Sequence, residues 1–265
     1  MKQIAMIATA ALSLSVTTVY AADVALPYTK APPVAAAGYN WSGVYAGLHA
    51  GGTWGDRAFS DYPGIFGSLG FGGNPAFFGA TAKPSGGLAG GQVGYNYQVS
   101  SWVFGLQGDL AWNGARGSVI CNPVDPAVVF TPLTRCLSNA DWLGSVTGRV
   151  GYAWNNSLIY VKGGGAWMRE TYGFDRANGL SAGIPFFRGT RTNAGWTVGT
   201  GLEYGLTPNW SLFAEYNYYD FGSYTVTFDN VFNGPGTTTL TVRNDMHTAK
   251  VGFNYRFGGP VVARY

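Results

Sequence analysis

The chain has 265 residues, of which 11 % are charged and 16 % aromatic, and 41 are glycine. A soluble domain averages about 25 % charged residues, so the composition argues against an ordinary water-soluble fold. The net charge of +3 is spread along the chain without a basic tract, which argues against a nucleic-acid partner.

Met1 and Lys2 give a positive start, Ile4 to Val19 form an almost uncharged and mostly apolar run, and Val19-Tyr20-Ala21 offers small residues where a signal peptidase reads. This pattern predicts a secretory signal over residues 1–21, cleaved after Ala21. No later stretch reaches about 18 consecutive apolar residues, which excludes helical membrane spans. Residues 22–40 contain Pro27, Pro32 and Pro33 and show no period. They read as a flexible periplasmic lead-in. Residues 41–265 read as one domain.

That domain opens on the first of eight segments with a period of two, the mark of strands with unlike faces. Segment 41–54 sets Val44, Ala46 and Leu48 against Tyr45, Gly47 and His49, and segment 86–99 sets Val93, Tyr95 and Tyr97 against Gln92, Gly94 and Asn96. Segment 101–113 is the clearest: Trp102, Phe104, Leu106, Leu110 and Trp112 share one face, and Val103, Gln107, Asp109 and Asn113 the other. From Trp102 to Trp112 is about 33 Å of strand at about 3.3 Å per residue. Tilted by about 40°, it covers the apolar band of about 25 Å found on outer-membrane barrels. Segments 141–154, 157–170, 194–205, 209–222 and 240–257 alternate in the same way.

The connections alternate as well. Ser100, Asn155-Asn156 and Leu206-Thr207-Pro208 are tight turns, whereas 55–85, 114–140, 171–193 and 223–239 are long. Short periplasmic turns and long extracellular loops alternate in this manner in membrane barrels. The reading is therefore all-β: an eight-stranded antiparallel up-and-down transmembrane β-barrel with four long extracellular loops. A soluble barrel would turn its apolar set inward.

Trp41, Trp54, Trp102, Trp112, Trp142, Trp154, Trp196 and Trp210 lie at or near predicted strand ends, as an aromatic girdle requires, with Trp167 toward the upper end of the fifth strand. The inward face collects Asp109, Arg149, Lys162, Glu203, Glu215, Lys250 and Arg256. Eight strands leave a lumen that side chains fill, so these charges are expected to pair in a closed ionic network; the alternative is a narrow gated ion path. Cys121 and Cys136 fall in one predicted loop of an exported chain, which predicts a disulfide worth about 3 kcal/mol for a loop of about 15 residues.

No cofactor or metal is expected. Gly86–Gly91 and Gly163–Gly165 lack the Lys-Ser/Thr ending of a phosphate loop, and neither Gly-x-Ser-x-Gly nor His-Glu-x-x-His occurs. His49 and His247 sit on the first and eighth strands, which must be neighbours in a closed barrel; rim histidines are the simpler reading and a metal pair the alternative. An enzyme is not expected. The first long connection carries Phe59, Tyr62, Phe66, Phe71, Phe77 and Phe78, and the third carries Phe174, Phe186 and Phe187 beside Arg188 and Arg191. Such groups pack on one another or bind a ligand, a protein or lipopolysaccharide phosphates.

The stretch Gly195-Trp196-Thr197-Val198-Gly199-Thr200-Gly201-Leu202-Glu203-Tyr204, then Leu206-Thr207-Pro208-Asn209-Trp210-Ser211 and Glu215-Tyr216-x-Tyr218-x-Asp220-Phe221-Gly222, resembles the small outer-membrane surface antigens of alphaproteobacteria. That family includes the Brucella antigens and their rhizobial relatives. Trp41–Gly47, Gly94-Tyr95-Asn96, Gly148–Ala153 and Gly252–Phe257 also fit it. The resemblance implies an eight-stranded outer-membrane barrel of porin-like type with structural and surface-antigen roles. It implies outer-membrane lipid, lipopolysaccharide and the barrel-assembly machinery as partners. Relatives end at the residue matching Phe257; here Gly258 to Arg264 precede Tyr265, so the terminal assembly aromatic is Tyr265 or an internal one. Haemin binding, reported for some members, has no residue pattern here. The alternatives to a structural surface protein are a narrow channel for small solutes and loop-mediated ligand or host binding.

Overall fold

The computed structural model describes residues 39–61, 79–122, 134–176, 185–230 and 237–257. The signal segment 1–21, lead-in residues 22–38, Tyr62, Phe66, Phe71, Phe77, Phe78 and Tyr265 lie outside the described residues. So do the side chains of Phe174, Phe186 and Phe187.

The described chain forms ten strands: β1 (Gly43–Asp61), β2 (Gly79–Ala82), β3 (Ser85–Val99), β4 (Trp102–Asn113), β5 (Arg116–Asn122), β6 (Thr134–Trp154), β7 (Ser157–Arg176), β8 (Pro185–Gly205), β9 (Trp210–Asn230) and β10 (Thr237–Phe257). Eight of them close a cylinder in the order β1-β3-β4-β6-β7-β8-β9-β10 and back to β1, every pairing antiparallel. The two extra strands are short. β2 adds to the far end of β1, and β5 pairs with the start of β6.

Three turns join strands at one end, and backbone chemistry explains two of them. Ser100 (φ 55°) and Asn155 (φ 51°) hold the left-handed conformation that tight hairpins need, and Asn tolerates it well. In the third, Leu206 and Thr207 donate their N–H groups to the Trp210 carbonyl.

Side-chain orientation is inverted relative to a soluble protein. Leu48 is 74 % and Leu106 68 % exposed, while Lys162 and Glu215 are each 4 % exposed. In water that arrangement would leave a continuous apolar belt unburied. In a bilayer the belt meets hydrocarbon, and the closed strand ladder pairs the backbone across the belt.

The strands run farther than the sequence pattern indicates. Residues 55–61, 134–140, 171–176, 185–193, 223–230 and 237–239, expected as loop, are strand. Their inward positions keep the period of two but mix polar and apolar types: Arg57 with Phe59, Cys136 with Ser138. An alternation of hydrophobicity is therefore invisible there, although an alternation of orientation persists. Phe59, read as a loop residue, packs inside the wall at 3 % exposure.

Inside, an apolar cluster at the short-turn end (Tyr39, Trp41, Val103, Leu158, Tyr160) and another at the long-connection end (Phe59, Leu143, Met168, Tyr172, Tyr219, Met246) bracket a polar middle.

The barrel interior as a candidate functional site

The polar middle is built by inward positions of all eight wall strands. Lys250 on β10 places Nζ 2.6 Å from Asp109 Oδ2 of β4 and 3.2 Å from Glu215 Oε1 of β9. Lys162 on β7 reaches the same Glu215 oxygen at 2.5 Å. His49 Nε2 on β1 lies 2.9 Å from Asp109 Oδ2. One step toward the short turns, both terminal nitrogens of Arg149 lie 3.3 Å from Glu203 Oε2, and its Nε donates to Asn96 Oδ1 at 2.9 Å. The guanidinium is clamped between the rings of Tyr45 (4.9 Å) and Tyr160 (4.8 Å).

Neutral groups complete the carboxylates. Glu203 accepts from Ser211 (2.5 Å) and Asn254 (2.8 Å), and Glu215 from Tyr160 (2.9 Å) and Asn217 (3.0 Å). A relay of amides then runs from Asn254 through Gln92 and Gln107 to the Tyr45 hydroxyl. Glycine makes this crowding possible. A Cβ on Gly94 would sit 2.4 Å from the Tyr45 hydroxyl oxygen, and one on Gly201 would sit 2.5 Å from that of Tyr160. Buried charges of this kind hold only when paired and hydrogen-bonded.

The cylinder is thus oily outside and ionic inside, the arrangement of a barrel that crosses a membrane. Residues 9–257 match the outer membrane protein β-barrel domain family. The chain belongs to that family. The 31 kDa outer-membrane immunogenic protein of Brucella melitensis biotype 1 is 31 % identical over 246 residues, covering 91 % of this chain and 94 % of that protein. The 25 kDa outer-membrane immunogenic protein of Brucella abortus biovar 1 is 28 % identical over 263 residues, covering 97 % and 99 %. Among solved structures, the outer membrane protein OprG from Pseudomonas aeruginosa aligns with a TM-score of 0.51 at 13 % identity, covering 83 % of this chain and 98 % of that one. That likeness is one of fold. This outer-membrane barrel therefore resides in the outer membrane of a Gram-negative bacterium.

Of the tryptophans expected in the girdle, Trp54, Trp102, Trp112, Trp154, Trp196 and Trp210 point outward and are exposed, as is Trp167; Trp142 is half-buried on the outer face. Trp41 does not belong to the girdle. It is fully buried against Tyr39, with ring centres 4.4 Å apart, because the chain before β1 turns into the mouth of the barrel instead of continuing along its wall. The two histidines do not meet. His49 faces the lumen, whereas His247 faces outward, stacked on Trp54 at 5.9 Å and bonded through Nδ1 to the Tyr216 hydroxyl at 2.7 Å. Their strands pair, but the register sets His49 opposite Gly252 and His247 opposite Trp54, and that odd offset along the pleat also puts the two rings on opposite sides of the wall.

The outer-membrane barrel holds a second ionic cluster that sequence reasoning missed. Beyond Trp54 along β1, Arg57 is fully buried with Nε 2.8 Å from Glu170 Oε1 and Nη1 2.7 Å from the Asp245 carbonyl. The other Glu170 oxygen accepts from Tyr172 (2.5 Å), Tyr224 (3.1 Å) and Asn244. Burial, and then the Glu170 carboxylate, push the phenols of Tyr172 and Tyr224 well above their ordinary value. The signal that would have found this cluster is parity: Arg57 continues the inward set of His49 and Thr53, and Glu170 that of Lys162 and Met168.

Cys136 is completely buried on β6, opposite Val119 of β5. The side chain of Cys121 lies outside the described residues, and its backbone continues β5 two positions beyond Val119.

Proposed function

We propose that this protein is a structural and surface-antigen component of the outer membrane, with a lumen filled by its own side chains and with no catalytic role. The observation that carries this reading is the Lys162–Glu215–Lys250–Asp109 chain, which spans the lumen from β7 through β9 and β10 to β4. Apolar clusters above and below it add two further seals. A free ionic path would need charges that water can reach, and these are buried and paired. The antigen role extends to this chain from the immunogenic Brucella relatives.

The reading includes removal of residues 1–21 on export and a Cys121–Cys136 disulfide, which the β5–β6 register brings onto adjacent strands. It includes outer-leaflet lipid and lipopolysaccharide as the surroundings of the girdle and delivery by the barrel-assembly machinery. Purified protein in a planar bilayer tests it. Only brief, small current events are expected. Steady, large currents would refute the filled lumen and establish a channel.

A further inference from the structure

We infer that the periplasmic mouth of the barrel is an oxyanion-binding site, built on Arg256 and Trp41 and shielded by Tyr39, for a small carboxylate or phosphate. Arg256 is 5 % exposed, and its guanidinium lies 4.2 Å from the centre of the Tyr39 ring and 5.4 Å from that of Trp41. Among the described residues it has no carboxylate in ion-pair range and no hydrogen-bond acceptor. Beside it, the indole N–H of fully buried Trp41 also lacks an acceptor. A buried donor without an acceptor is unfavourable, and an anion held by the neighbouring guanidinium would complete the Trp41 indole N–H.

The contrast with Arg149 is informative. In the same lumen, that arginine takes Glu203 and Asn96 as acceptors. Glu203 is already occupied by Arg149, Ser211 and Asn254, so it leaves Arg256 unserved. Charge points the same way. The inward charges of the polar middle and the mouth are four cations, Arg149, Lys162, Lys250 and Arg256, against three anions, Asp109, Glu203 and Glu215. One bound anion balances them.

The mouth is preorganised. Gly43 (φ +125°) turns the chain from β1 into the opening, a conformation that suits glycine. Gly205 leaves the space for Tyr39, since a Cβ there would lie 2.3 Å from its ring. Tyr39 N donates to the Asn155 carbonyl (3.2 Å) and Trp41 N to Gln98 Oε1 (2.7 Å). The Arg256 backbone is held by Asn209 through two bonds, of 2.8 and 2.9 Å. A polar cleft of about 420 Å³, lined by Tyr39, Gln98, Ser101 and Asn155 among others, adjoins Tyr39 at this end of the barrel. A guanidinium fork engages an oxyanion through two parallel bonds, and an indole N–H supplies a third donor.

The test uses the full barrel, refolded in detergent micelles and labelled with nitrogen-15. Inorganic phosphate or succinate is titrated at ionic strength matched with sodium chloride, while the Trp41 indole N–H resonance, assigned with Trp41→Phe, is followed. A saturable shift is expected with phosphate or succinate, weakened by about tenfold or more in Arg256→Gln. Heat-modifiable migration reports whether each variant folds. If Arg256→Gln does not fold, Arg256→Lys keeps the charge but loses the fork, and its affinity must also fall. The inference is overturned by the absence of a saturable shift, by an equal shift with chloride alone, or by affinity unchanged in whichever of these variants folds.

Discussion

At the scale of single residues, what matters is whether a buried polar group finds its complement. Arg149 touches two rings, an amide and a carboxylate, so truncating it removes several contacts and leaves Glu203 charged in the lumen. Arg149→Leu is expected to destabilise the folded barrel by about 3–5 kcal/mol, measured by urea unfolding in lipid vesicles. Near-unchanged stability would mean that water, and not protein, solvates Glu203. Glycine plays the reciprocal part, since the inward glycines at 94 and 201 are where tyrosine hydroxyls pass. Residue identity alone does not show which glycine serves which ring, because that depends on neighbours across the strand ladder.

At the scale of elements, turns and strand extensions behave differently. Asn155 sits at φ 51° in the two-residue connection between β6 and β7. Asn155→Gly is expected to fold normally, whereas Asn155→Val should cost about 1–2 kcal/mol, because a β-branched residue resists the left-handed conformation. Comparing the unfolding midpoints of the two variants checks this. Beyond the girdle, β7, β9 and β10 meet around Glu170. There the raised phenol values of Tyr172 and Tyr224 link stability to pH. Above about pH 10 the phenols ionise in the unfolded chain but stay protonated in the barrel. Their contribution is therefore complete below about pH 10 and is lost as pH rises through and beyond it. The double variant Tyr172→Phe/Tyr224→Phe should show a smaller loss of stability than the parent between about pH 8 and about pH 11.

At the scale of the whole molecule, the inverted arrangement decides what the barrel tolerates. Leu106 is 68 % exposed near the middle of β4. Leu106→Arg would be nearly neutral on a water-facing surface but is expected to cost about 2–4 kcal/mol in a bilayer. Refolding titrations in lipid vesicles read the difference, and a neutral result would place that face in water. The belt also frames the interior. Rigid walls carry the ionic middle between two apolar clusters, and the extended strands raise the walls beyond the girdle.

The eight wall strands, their faces and the three tight turns were legible along the chain, because each depends on a period of two and on local turn chemistry. The seven inward charges were legible for the same reason, since parity within one strand assigns a side. What lay beyond the chain pattern was partnership across strands. Arg57 with Glu170 joins residues 113 positions apart, and Arg256 meets Tyr39 and Trp41 only because strand closure brings the chain's two ends to one mouth. Sequence by itself determined orientation, which is a local property of a pleated strand; the closed cylinder decided which oriented groups meet, because register and shear set distances that no local pattern contains.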